Sequence, residues 1–173
     1  QLDIDIPKAA RSSPQINLIT AATGDGQSLH AILRINQHGA QGGGMELQLW
    51  NGTTLLASSD LGTTQSLATT GERITWTTRM DLSNNGVLTV QVLSGVSTTW
   101  GRFSGANNSP LTVSAPTGLK NLNSYDPNFT TNASGVEYGS NRVNKIMLRK
   151  VRVYTGNKKS VEQALDRTIY QSL

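Results

Sequence analysis

The chain has no cysteine in its 173 residues. That excludes a disulfide framework and any thiolate metal site, so stability has to come from packing. It also has no apolar run close to the roughly 18 residues needed to span a bilayer as a helix. Aromatic residues are 5% and charged residues 15% of the whole, whereas serine, threonine, asparagine and glycine are abundant. This balance suits a strand-and-turn protein with a hydroxyl-rich surface, and an extracellular or secreted all-β domain is expected. The length fits one domain with room for a sizeable core. Starting at Gln1 without a methionine, the chain reads as a processed form or an excised domain.

Acid is missing from one region in particular. Between Glu137 and Glu162 there is none, yet the segment carries Arg142, Lys145, Arg149, Lys150, Arg152, Lys158 and Lys159, seven of the fifteen basic residues. The rest of the chain holds eight bases against eleven acids, so the net charge of +4 comes from this one region. Two expectations compete. Edge lysines discourage strand-to-strand aggregation, and a cationic stripe at Lys150, Arg152, Lys158 and Lys159 could recognise sulfated or uronate polysaccharide. Nucleic acid is not expected, because Tyr154 alone would supply the aromatic stacking that exposed bases require.

Period-2 alternation is what the sequence has in quantity. In "GERITWTTRMDLSNNGVLTVQVLSGVSTTWG", Ile74, Trp76, Thr78 and Met80 alternate with Arg73, Thr75, Thr77 and Arg79; Leu88, Val90 and Val92 alternate with Thr89 and Gln91. Asn84-Asn85-Gly86 lies between them, where positive φ is cheapest and an antiparallel reversal is expected. Ser94-Gly95 reads as a second reversal. Trp76 belongs to an apolar face and is expected in the core. A tryptophan in the incoming strand, a short glycine loop and an alternating strand closing on glycine resemble the middle of laminin G-like, concanavalin A-like sandwiches, with Trp76, Gly86 and Gly95 in the matching places. The likeness covers the central third of the chain.

Further strands are predicted at 2–6, 15–21, 28–36, 45–50, 53–58, 96–103, 110–114 and 142–154, with a turn-rich segment from Gly105 to Ser140. An Asn51-Gly52 loop would set Trp50 opposite Thr53 and Leu47 opposite Leu56. The expected fold is an all-β, two-sheet antiparallel jelly-roll sandwich over 1–159. It would end in a short helix over 160–173: Ser160 with Gln163 forms a capping box, and Val161, Leu165 and Ile169 make a stripe able to dock on the sandwich or on a neighbouring domain or subunit. Four Asn-x-Ser/Thr sequons, at Asn51, Asn107, Asn128 and Asn132, are about what this composition produces by chance.

Laminarinase-type sandwich hydrolases carry two glutamates and an intervening aspartate in an E-x-D-x-x-E pattern, because two carboxyl groups must flank one glycosidic bond. Here Glu46, Glu72 and Glu137 stand alone in their segments. A polysaccharide lyase acting on a uronate glycan is the catalytic alternative. "LHAILRINQHG" supplies His30 as a base and Arg34 to neutralise the carboxylate, with Gln37 and His38 beyond. In the alginate-lyase pattern Gln and His are separated by one residue and point the same way; Gln37 and His38 are adjacent and would point apart.

Were strand 45–50 to lie beside strand 28–36, Glu46, Gln48 and Trp50 would join His30 and Arg34 on one polar face. Trp50 and Trp100, flanked by amides and charges, are candidates for stacking on sugar rings. The resemblance also implies calcium as a candidate cofactor, held at a loop edge, with Asp60, Asp81 and Asp126 as the carboxylates in question. The function expected from the sequence is a secreted, non-catalytic carbohydrate-binding or adhesion module favouring anionic polysaccharide. The lyase is one alternative, and a structural subunit of a filament, envelope or viral particle is the other.

Overall fold

A computed structural model describes residues 2–6, 16–35, 45–60, 72–98, 101–103, 111–122, 124–131, 137–138, 141–142, 145–154 and 160–171. Among these the regular structure is entirely strand: β1 (Leu2–Ile6), β2 (Ile16–Gly24), β3 (Gln27–Ile35), β4 (Met45–Asn51), β5 (Thr54–Asp60), β6 (Glu72–Leu82), β7 (Val87–Ser97), β8 (Gly101–Phe103), β9 (Leu111–Pro116), β10 (Ser124–Thr131), β11 (Glu137–Tyr138), β12 (Asn141–Arg142), β13 (Lys145–Tyr154) and β14 (Ser160–Gln171). A five-stranded antiparallel sheet runs β10-β2-β3-β4-β5. A seven-stranded one runs β14-β13-β1-β6-β7-β8, with β9 also paired to β7.

The two sheets close on one core. From the first come Leu29, Ala31, Leu33, Met45, Leu47 and Leu49; from the second come Ile74, Trp76, Leu88, Val90, Val92, Phe103, Leu111, Val113 and Ala115. These are the alternate positions of their strands, so period-2 patterning alone drives each sheet to bury one face. Trp76 is 2% exposed, as its apolar face predicts. Gly95 lies in register between Trp76 and Phe103, and a Cβ there would meet the Phe103 ring at 2.4 Å. A glycine is therefore what lets two aromatic neighbours share that row.

The turns explain the registers. Asp25 and Gly26 both have positive φ, 47° and 77°, between the paired Gly24 and Gln27. This is the two-residue hairpin that Asp-Gly favours most strongly, a signal present in the sequence that the strand prediction did not use. In the next hairpin the turn is Gly52-Thr53 rather than Asn51-Gly52. Asn51 pairs with Thr54, and a shift between Leu49 and Trp50 puts Trp50 opposite Leu55 and Leu47 opposite Ser59. The Asn51 side chain is meanwhile committed to Gln27 Oε1, at 2.8 Å. Between β6 and β7 the reversal falls at Gly86, φ 74°, as expected. Ser94-Gly95 does not reverse the chain: β7 runs on to Ser97, and the register shift between Thr77 and Thr78 leaves Leu93 as a bulge.

Two segments differ more widely from the sequence reading. Part of the turn-rich stretch is strand. β10 pairs with β2 along its whole length, and its Pro127 is tolerated because β10 lies at the sheet edge. Between β9 and β10, residues 117–122 cross the end of the sandwich and insert Leu119, 2% exposed, into the core. That strap is tied down by Gln27 Nε2 to Thr117 O at 3.0 Å, Lys120 N to Asp25 Oδ2 at 2.6 Å, and Thr117 N to Gly86 O at 2.8 Å.

The second difference corrects the C-terminal helix. Residues 160–171 form β14, the edge strand on β13, with Arg152 opposite Glu162 and Tyr154 opposite Ser160. About three turns of helix are marginal alone, whereas a hairpin partner lies only a few residues upstream. Pairing nevertheless has to absorb a 3.6-residue apolar period. The register shifts by Leu148/Lys150 and Ile146/Met147 do so, leaving Leu165 and Ile169 of the helical stripe without ladder partners. The first of those shifts falls at Arg149, just after Ile146 and Leu148, whose parity is opposite to that of Val151 and Val153.

Candidate functional site

The five-stranded sheet turns its other face outward, and that face is not an ordinary solvated one. Because Leu29, Ala31 and Leu33 point inward on β3, and Met45, Leu47 and Leu49 do so on β4, the residues between them point out. β3 and β4 are neighbours, so the conditional expectation is met. Arg34 lies opposite Glu46, Ile32 opposite Gln48, and His30 opposite Trp50. Across β5 the same rows continue to Asp60, Ser58 and Leu55. Towards β2 and β10 they continue through Asn17 and Thr130, Ile19 and Asn128, and Ala21 and Asp126.

Along β4 the polar side chains are joined into one line. Arg34 Nη1 donates to Glu46 Oε2 at 3.0 Å, Gln48 Nε2 donates to Glu46 Oε1 at 2.8 Å, and Trp50 Nε1 donates to Gln48 Oε1 at 2.9 Å. Glu46 and Gln48 are each only 8% exposed, although they sit on the outward face. Both carboxylate oxygens and both ends of the amide are thus used. Buried polar groups are affordable when satisfied in this way. The two ends of the line are more open: the Arg34 side chain is 34% exposed, against 11% for that of Glu46. Trp50 is half-buried, and beside it Leu55 is 44% exposed.

The sequence candidates therefore divide. His30, Arg34, Glu46, Gln48 and Trp50 come together on one face. Arg34 and His30, four residues apart on one strand, stand about 13 Å from each other along it. The guanidinium that a lyase would use against a uronate is already bound to Glu46. Trp100, Gln37, His38, Lys158 and Lys159 lie outside the described residues.

Lys150 and Arg152 are exposed on β13, well away from Trp50, in the other sheet. Arg152 Nη1 donates to the Tyr154 hydroxyl at 3.1 Å. Along the strands, acidic positions pair with parts of the acid-free run. By strand register Arg142 lies opposite Glu137, Lys145 opposite Asp5, and Arg152 opposite Glu162.

The three aspartates considered for calcium are dispersed. Asp60 and Asp126 belong to opposite edge strands of one sheet, and Asp81 belongs to the other sheet. Asp81 is bound to Arg79 at 2.7 Å, with both side chains more than half exposed, so the pair contributes about 0–1 kcal/mol. Among the described residues no three metal-ligating side chains converge. Asp25, which the sequence reading passed over, has a structural use in holding the Lys120 amide of the strap.

Comparison with protein-family models, curated proteins and solved structures finds no match in any of the three.

Proposed function

We propose that the chain is a secreted, non-catalytic carbohydrate-binding or adhesion module of the laminin G-like, concanavalin A-like jelly-roll kind, which engages glycan on the outward face of its five-stranded sheet. One observation carries this reading: the bonded line from Trp50 through Gln48 and Glu46 to Arg34. A sheet face that served only to meet water would not need its central carboxylate and amide buried and saturated, because water satisfies such groups without ordering them. A half-buried indole beside an exposed leucine offers an apolar platform, and a guanidinium some way along the strand offers hydrogen-bond donors. A sugar chain presents the matching surfaces, apolar ring faces and hydroxyl edges.

Both alternatives lose a component. The lyase needs Arg34 to meet a substrate carboxylate, which would mean breaking its bond to Glu46. A structural subunit that docks through the stripe of a C-terminal helix loses that contact, because the segment pairs with β13 instead.

Affinity electrophoresis through gels containing single polysaccharides tests the proposal. Retardation in at least one gel, lost in Trp50→Ala, is the expected result. Incubation with alginate, glucuronan and glycosaminoglycans should release no ultraviolet-absorbing unsaturated product. Release that disappears in His30→Ala would establish the lyase instead.

A further inference from the structure

The described outward side chains of β3, β4 and β5 lack the cationic surplus that first suggested an anionic ligand. Arg34 is the one Lys or Arg among the described outward side chains of β3, β4 and β5, and its bond to Glu46 neutralises it locally. Beside that pair, in the same row, stands a second acid, Asp60; in the row of His30 and Trp50, Asp126 occupies the register position on β10. A uronate or sulfate brought here would meet, among the described outward side chains of β3, β4 and β5, no Lys or Arg other than one already paired with a carboxylate.

The Trp50 end has a further property. A tryptophan on a strand ordinarily keeps some freedom about its χ angles, and ordering it on binding costs affinity. Here the indole N–H is held by Gln48 Oε1, the Gln48 amide is held in turn by Glu46, and Glu46 is fixed by Arg34. Each member has its orientation set by the next. The N–H consumed in this way is unavailable to a ligand, so the indole can offer only its ring surface, widened by Leu55 across the strand pair. From Trp50 to the Arg34–Glu46 row is four residues of strand, about 13 Å, the length of roughly two to three sugar rings.

Resting on the glycan-binding reading above, we infer that this face selects an uncharged glycan chain lying along β4, stacked on Trp50 and hydrogen-bonded near Arg34, with Gln48 as the positioning residue that locks the indole. Gln48 does not touch the ligand; it acts through Trp50.

Isothermal titration with matched hexasaccharides tests this. The uncharged probes are cellohexaose, laminarihexaose, mannohexaose and xylohexaose; the charged ones are hexagalacturonate, hexamannuronate and a heparin hexasaccharide. At least one uncharged probe should bind, with an affinity that hardly changes up to about 1 M NaCl, where screening is nearly complete. Trp50→Ala should reduce that affinity by more than about thirtyfold, as expected for an aromatic anchor. Trp50→Phe, which keeps a ring and removes the tethered N–H, and Gln48→Leu, which removes its acceptor, should each cost about three- to tenfold. Their combination should cost little more than either alone, since each breaks the same bond.

Preference for a charged probe, lost in Trp50→Ala, would overturn the uncharged class while leaving the binding face in place. Failure of every probe, charged or not, would overturn the glycan reading itself. Wild-type affinity in both Trp50→Phe and Gln48→Leu would overturn the tether. If Gln48→Leu fails to fold, Trp50→Phe alone decides that point. Any retention on heparin should come from β13, falling in Lys150→Gln/Arg152→Gln and unaffected by Trp50→Ala; the reverse pattern would overturn the assignment of charge class.

Discussion

Replacing Gly95 with alanine isolates a single steric contact. Gly95 is not among the residues with positive φ, so alanine meets no backbone strain there and should gain a little by restricting the unfolded chain, about 0.4–1 kcal/mol. Against this, the new methyl carbon would meet three Phe103 ring atoms at 2.4, 2.5 and 2.8 Å. Two responses are open. The backbone can spread, an overpacking cost of about 1–3 kcal/mol. Alternatively the ring, now 5% exposed, can swing into solvent and lose much of the roughly 1.5–3 kcal/mol that burying a phenylalanine contributes. Either way a net loss of about 1–2 kcal/mol is expected, measured by urea denaturation. β8 has only three residues, so its amide protection in hydrogen exchange should fall first.

The decisive measurement is the cycle with Phe103→Leu. A smaller side chain leaves room for the methyl, so Gly95→Ala should be neutral or stabilising in that background, with a coupling of about 1–3 kcal/mol. Simple additivity of the two substitutions would refute the idea that Gly95 is a glycine because Phe103 lies over it.

Other consequences are equally direct. Leu119→Ala should destabilise by about 2–5 kcal/mol in the same assay, because the strap inserts that side chain fully into the core; a loss near zero would mean that 117–122 does not seal the sandwich. Gly86→Ala combines φ 74° with a Cβ 2.9 Å from the Gly118 Cα, whereas Gly52→Ala, at φ 56°, meets nothing within 4 Å. Gly52→Ala should therefore cost about 1–2 kcal/mol of conformational strain and Gly86→Ala distinctly more; equal losses would show that the Gly86–Gly118 approach is unimportant. Finally, Arg152→Cys/Glu162→Cys should form a disulfide on mild oxidation, since directly paired strand residues fall within bridging range. Failure to form it, together with a helical circular dichroism signal from 160–171, would restore the helix.

Much of this fold was legible because it rests on local alternation. The inward positions of β3, β4, β6 and β7 follow from period 2, and with them the burial of Trp76 and the outward parity of Arg34, Glu46, Gln48 and Trp50. Gly86 marked its turn through the conformational freedom of Asn-Gly. Other features depended on contacts between distant parts of the chain. Whether β4 lies beside β3 is a matter of sheet order, and only that order turns four separate residues into the line from Trp50 to Arg34. The turn at Gly52-Thr53 was set by a register in which Asn51 is held by Gln27, a residue 24 positions away.

Tertiary pairing also overrode local signals. Segment 160–171 carries a capping box and a helical stripe, yet β13 offers it a ladder, and the bulges record the conflict between the two periods. The basic run shows no acid along the chain from Arg142 to Lys159. By strand register Asp5, Glu137 and Glu162 come opposite Lys145, Arg142 and Arg152, and which charged residues are neighbours is decided by which strands pair, not by which residues are adjacent in the chain.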